Sequence, residues 1–536
     1  MKNSQNKTRA TFSDNLKNLR KLLPNLVSIL EDGKQDNWYA SAWLESNRWM
    51  MYTAAILENS QESTDRGVVL RVFVDGVCYE RASNKLDPES LTTLAKDFRG
   101  DLDKKHPPSY NYTKKAYRPL TWQEEIKRGL SAEISTQIPS NVNASSEVHF
   151  GVLCGEDPHK TKMDTLKERA SFARKNLFDR ANNFIVEENK TRSSDNQYEN
   201  LSDIRTIMRQ ILEISVFVDR EKNISQILPS SSIVAVGISK CGKTSLGVCG
   251  GLGGLEIATL DEESSDVATI NCLRLTKADR LIPGRYQVIT GPDVTGVIAH
   301  EAFGHTQEGD TWMKGRSIAE NLHNNKTKVG NDQATIVNHP DMFSKDEHHY
   351  GSNGSHFFDH EGELGRKQQI LDKGMLSTPM TDFISAYTLN VSRTSNGKRE
   401  SWRRPLMARQ TNTYFTPGDK TLSELISMVK HGHLARWGNG GMEDPKGGSL
   451  TAGAAYFEEI IDGKLTGKVL LGPSGGHIEL SDPVFSLLDK IVAKSKTVNA
   501  DNIPDVKLGG CGKYHKEGVN AGCGGPYILW QDINCG

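Results

Sequence analysis

Glycine is spread unevenly along this chain, and that limits what its second half can become. Beyond about residue 230 the sequence runs GGLGG at 250–254 and GNGGM at 438–442, with further pairs at 475–476, 509–510 and 524–525. A glycine inside a helix costs about 1 kcal/mol relative to alanine. Helical patterns there are few: 296–308, 362–373, 421–431 and 482–495. The expectation is a β-rich domain over 231–536, built of short strands and glycine turns. Residues 1–230 read differently. Helical patterns at 86–102, 121–137 and 160–180 are interleaved with strand-like runs at 145–153 and 211–236. The run GVVLRVFVDGVCYERAS sets Asp75-Gly76 between two apolar stretches, the mark of a tight hairpin whose central residues take positive φ. The fold class expected is therefore α+β, with an N-terminal mixed layer domain followed by a β-rich one.

A chain of 536 residues is too long for a single core. Its 66 basic and 67 acidic residues leave a net charge of −1, which gives no reason to expect nucleic acid or an anionic membrane as a partner. No stretch approaches the roughly 20 apolar residues of a membrane span. The basic N-terminus, whose apolar run is broken by Pro24 and Asn25, reads as the start of a helix and not as a leader. A cytoplasmic location is the expectation. The eight cysteines are scattered without a CxxC pair, which fits reduced thiols, one or two of them functional.

The sharpest motif is VTGVIAHEAFGHTQEGD at 294–310, which holds His300, Glu301 and His305 as H-E-x-x-x-H. Two neutral imidazoles can bind a metal ion, and a carboxylate beside it can take a proton from water. On a regular α-helix an i,i+5 pair opens to about 140°, too far apart to share one ion. A π-type turn brings the two histidines back to roughly 50°, so the spacing predicts an irregular helix over 300–305, eased by Gly304. The pattern alone arises by chance in roughly 2% of chains this long, so it needs company.

That company is a family resemblance. HEAFGHTQEGD resembles the signature of the TldD/PmbA family of metallopeptidases, also called modulators of DNA gyrase. LIPGRYQVITGPDVTGV before it, DHEGELGRKQQILDKGML (359–376), MARQTNTYFTPGD (407–419) and LGGCGKYHKEG (508–518) resemble further blocks of that family, in the same order. VLRVFVDGVCYERAS resembles its N-terminal hairpin more weakly. The resemblance implies a zinc-dependent peptidase whose β-rich catalytic domain carries the distorted metal-binding helix. Its ligands would be His300, His305 and Cys511, and its general base Glu301. Two nitrogens and a thiolate leave a fourth position for water. Cys523 is the rival thiol, without a following lysine. Glu308 and Asp310 could orient the histidines or be solvated helix-end charges. His360 stands where a second acidic residue is expected, and the segment after Cys511 is longer than usual. The family also implies a peptide substrate and a dimer, with itself or with a metal-less relative. A non-catalytic peptide-binding subunit with a structural metal is the alternative.

A second pattern competes. GISKCGKT at 237–244 matches the phosphate-cradling G-x-x-x-x-G-K-[ST], which needs a helix to follow. SLGVCGGLGGLEIATL follows instead, with five glycines, so nucleotide binding through Lys243 and Thr244 is the weaker alternative. His348, His349, His356 and His360 read as a polar loop sooner than as a second metal site. His431 and His433 read as the end of a helix.

Overall fold

The computed structural model describes residues 8–9, 12–114, 116–343, 350–497, 506–513 and 518–536. Helices and sheets mix throughout, as an α+β chain should. In the first half, β1 (Trp38–Ala54), β2 (Asn59–Val74), β3 (Val77–Ser83), β4 (Glu147–Gly151), β5 (Asp203–Val218), β6 (Asn223–Ile238) and β7 (Thr244–Leu252) form one sheet. Its order is β3-β2-β1-β5-β6-β4, with β7 beside β4 on β6. Every pairing is antiparallel except β4 with β6. The β2–β3 turn is Asp75-Gly76, with φ of 49° and 89°. The division expected at 230/231 falls inside β6, and the sheet runs on to Leu252.

Alternation along the strands gives this sheet two buried faces. Ala40, Ala42 and Leu44 join Leu70, Val72 and Val216 under α1 (Asp14–Glu31) and α2 (Pro88–Lys105). Leu16, Leu19, Leu23, Leu26 and Leu30 recur at helical spacing and make the underside of α1. Trp43, Val69 and Phe217 on the opposite face meet Phe357, Phe358 and Leu364 from the second half. Ion pairs reinforce that seam: Glu363 to Arg128 at 2.7 Å, Glu80 to Arg399 at 2.8 Å, and Glu361 to Arg71.

Among the described residues the second half holds, besides a two-stranded ribbon that pairs Gly397–Lys398 with Met407–Ala408, two large sheets. One comprises β8 (Gly284–Thr290), β13 (His431–Asp444), β14 (Ser449–Ile461), β15 (Lys464–Leu471), β16 (Ile478–Pro483), β17 (Ile491–Lys494) and β20 (Ile528–Cys535), with a short rung at Asp279–Arg280. The other runs in the order β11-β10-β9-β12-β19-β18, from β9 (Ile336–Asn338), β10 (Gln368–Asp372), β11 (Met375–Leu376), β12 (Asn412–Phe415), β18 (Val506–Cys511) and β19 (Val519–Gly524). A helix, α3 (Pro292–Ala299), lies between the sheets against β13, β14, β12 and β19.

Three expectations change. The helix expected at 362–373 is the β10–β11 hairpin, turned by Lys373-Gly374 at φ of 47° and 77°. Helix at 482–495 shrinks to Val484–Asp489 between two strands. His431 and His433 begin β13 instead of closing a helix, and His433 is buried between Tyr286 and Phe457. In each case a sheet partner distant in sequence outweighed local helix propensity.

Candidate metal centre

Pro292 opens α3, where its missing N–H costs nothing. The helix then changes pitch: His300–Gly304 wind as a π-turn and His305–Gln307 as a 3₁₀ turn. This is the irregularity the i,i+5 spacing predicts. It sets the two imidazole rings 4.9 Å apart and nearly perpendicular. From the other sheet, β18 delivers Cys511 to the same point. Ligand atoms of His300, His305 and Cys511 all lie within 4.8 Å of one another, and Cys511 Sγ is 3.4 Å from His305 Nε2. A tetrahedral zinc site with ordinary bond lengths separates such nitrogen and sulfur donors by about 3.5 Å, so the donor set fits zinc. Cys523 stands outside the cluster, and burial pushes its thiol up to about 12.

The electrostatics suit a thiolate. Burial opposes ionisation of Cys511, yet His305 and His300 hold it well below the usual thiol range. Burial likewise opposes a charged His305, and Cys511 with Glu308 raises it well above the ordinary imidazole value. A cation among these donors would take the place of that imidazolium charge.

Around the cluster the polar groups are tied down. Glu308 Oε2 lies 3.1 Å from His305 Nδ1. Lys513 Nζ reaches Glu308 at 2.8 Å, Asp310 at 2.6 Å and the Ala408 carbonyl at 3.0 Å. Burial would raise Glu308, but Lys513 and His305 hold it down at about 2. Glu308 thus orients a histidine, whereas Asp310 holds the lysine; neither is a solvated helix-end charge. Arg409 donates to the Cys511 carbonyl at 2.5 Å, and Gln410 to that of His300 at 3.1 Å. Gly304 makes room for Gln410: a Cβ there would lie 2.0 Å from Gln410 Oε1.

Two carboxyls face the cluster from different elements. Glu301 follows His300, and burial raises it above its ordinary value although His300 and His305 pull it down. Glu443, on β13, accepts a hydrogen bond from Thr306 at 2.7 Å, and burial pushes it up to about 8. Glu443 was not legible in the sequence, because strand pairing brings it across from 137 residues away. The roles of Arg409, Gln410 and Lys513 were missed too, although they sit in segments that drew attention.

The remaining candidates separate from this centre. His356 bonds to Ser395 and His360 stacks on Trp43 at 4.5 Å, so neither joins the cluster; His348 and His349 lie outside the described residues. GISKCGKT is a hairpin: β6 ends at Ile238, Gly242 turns the chain at φ 83°, and β7 begins at Thr244. A strand and not a helix follows the loop, and Lys243 Nζ donates to the Gly475 carbonyl at 2.6 Å. That overturns the nucleotide-binding alternative. No helix among the described residues is long and apolar enough to cross a membrane.

The chain is similar to several known proteins. Residues 283–536 match the PmbA/TldA metallopeptidase C-terminal domain. A metalloprotease of Methanothermobacter thermautotrophicus is 30% identical over 294 residues, 54% of this chain and 59% of the relative. A zinc metalloprotease TldD homolog of Saccharolobus solfataricus is 30% identical over 254 residues, 47% of this chain and 52% of the relative. The chain thus spans between half and three-fifths of these relatives' length. In fold the likeness extends further. The crystal structure of a Thermotoga maritima protein described as a modulator of a DNA gyrase superposes with a TM-score of 0.66 at 15% identity, covering 96% of this chain and 99% of that one. TldE from Thermococcus kodakarensis gives 0.60 at 12% identity, covering 97% and 99%.

Proposed function

The chain belongs to the TldD/PmbA family, and on that footing we propose that it is a zinc-dependent peptidase with His300, His305 and Cys511 as ligands and Glu301 as general base. The observation that carries this reading is the meeting of three donors within 4.8 Å of one another, with Glu301 near enough to feel the charges of His300 and His305. Zinc held there supplies Lewis acidity to an attacking water and to the scissile carbonyl. Glu301 takes the proton of that water and passes it to the leaving amine. Burial raises its pKa, which strengthens it as a base. Glu308 accepts from the Nδ1–H of His305 and leaves Nε2 free to ligate, and Lys513 fixes Glu308 in turn. Gln410 holds the backbone of the π-turn through the His300 carbonyl.

The substrates proposed are small or unfolded peptides bound as extended strands. The protein works as a dimer, with itself or with a related metal-less subunit, inside the cytoplasm. A purely structural metal is the less favoured reading, because a closed site needs four protein ligands and the cluster among the described residues has three. Peptide-library digestion by wild type and Glu301→Gln protein tests the proposal. Cleavage by wild type alone supports it, and equal turnover by both would sink the assignment.

A further inference from the structure

Between the first-half sheet and the wall that carries Cys511 lies a cavity of about 260 Å³ that the mechanism leaves unused. Its floor is one face of β1, β5 and β6, with Glu45, Glu213 and Leu228 among its lining residues. Its roof includes Lys398 and Val519, and Val519 pairs directly with Cys511 in the β18–β19 ladder. The cavity therefore adjoins the metal centre through one pair of residues.

Its charges are unusual in their pairing. Among the described residues the Glu213 side chain makes no hydrogen bond, and its Oε1 lies 3.9 Å from His360 Nε2. Among the described residues the Lys398 side chain gives one hydrogen bond, to the Asn520 carbonyl at 2.8 Å, out of the three N–H groups it carries. Burial raises the Glu213 carboxyl and pushes Lys398 down to about 8, while each group's charge partly offsets the shift of the other; the two are not in ion-pair contact. The other ionisable groups are accounted for. Arg399 is held by Glu80 at 2.8 Å, and Glu400 pairs with Arg404 at 3.5 Å. Burial keeps His356, at about 3, and His360 neutral. Glu45 accepts from the Trp402 N–H and from Asn47, both at 2.7 Å, and burial beside Glu213 pushes it up to about 8, so it stays protonated at neutral pH.

A carboxyl and an amine thus line a common space without touching. An ion entering would pair with one of the two groups and leave the other's charge buried and uncompensated, which is disfavoured. A carboxamide brings no charge and offers both an N–H and a C=O. Resting on the peptidase reading, we propose that this cavity is a substrate subsite for the side chain of asparagine or glutamine, its N–H donated to Glu213 and its C=O accepting from Lys398. Leu228 lies against the apolar stem. Sites built to hydrogen-bond a polar group reject isosteres that lack it far more sharply than apolar pockets distinguish sizes.

The test is binding, so that it does not depend on turnover. Zinc-loaded Glu301→Gln protein is titrated with alanine-based peptides carrying glutamine, methionine, glutamate or lysine at each position in turn. At one position the glutamine peptide is expected to bind at least tenfold more tightly than the other three. Lys398→Met leaves a lone carboxylate and should move the preference to lysine; Glu213→Gln leaves a lone ammonium and should move it to glutamate. Equal affinity for all four peptides, absent binding, or variants that keep the original preference would overturn the subsite. Digestion by wild-type protein separates the two claims. Cleavage without a glutamine preference sinks the subsite alone, and glutamine-selective binding without any cleavage sinks the peptidase reading alone.

Discussion

Two short stretches of this chain match functional patterns about equally well, and only one gathers the groups that its chemistry needs. H-E-x-x-x-H at 300–305 and GISKCGKT at 237–244 have similar odds of arising by chance. Around the first, everything is converted to a purpose. The π-turn aligns two histidines, Cys511 arrives from another sheet, and Glu308, Lys513, Arg409 and Gln410 fix the parts. Around the second, the glycines that look like a phosphate loop serve a strand and its turn, and the lysine closes a contact to Gly475. A motif becomes a site when chain segments distant in sequence converge on it.

The comparison can be broken or sharpened by substitution. The largest effect is expected from His300→Ala, which should lose zinc and at least about a thousandfold of peptidase activity, since it removes a ligand. Elemental analysis and peptide cleavage check both. Glu301→Gln should keep about one zinc per chain and lose on the order of 10²–10⁴ in kcat; loss of the metal along with activity would reassign Glu301 to the ligand set. Gly304→Ala places a methyl group against Gln410 and should cost about 1–3 kcal/mol of stability by overpacking. Denaturant unfolding would show it, and adding Gln410→Ala should recover part of the loss if the clash is the cause. Lys243→Ala should be the mildest. It forfeits one hydrogen bond, about 1 kcal/mol, leaves cleavage within about twofold, and no nucleotide should bind to wild type in calorimetric titration. A micromolar nucleotide complex abolished by Lys243→Ala would reverse the comparison.

The same contrast explains what could be read from the sequence alone. The irregular helix was legible because the spacing of His300 and His305 leaves few geometries that let them share an ion. The Asp75-Gly76 hairpin was legible because both turn residues need positive φ. The three-donor cluster followed from a resemblance and from no local signal in LGGCGK. Glu443 and the cavity around Glu213 and Lys398 could not be seen, since each depends on which strands face one another. The helix expected at 362–373 failed for the same reason: QQILD finds its partners in β9 and β11, and Lys373-Gly374 turns the chain between them.

The measurement that bears most directly on this account is the zinc content of purified wild-type protein beside Cys511→Ala. About one zinc per chain in the wild type and none in the variant is the result expected if His300, His305 and Cys511 form the site. A wild type free of zinc in the absence of chelators, or a variant that keeps its full complement, would contradict it.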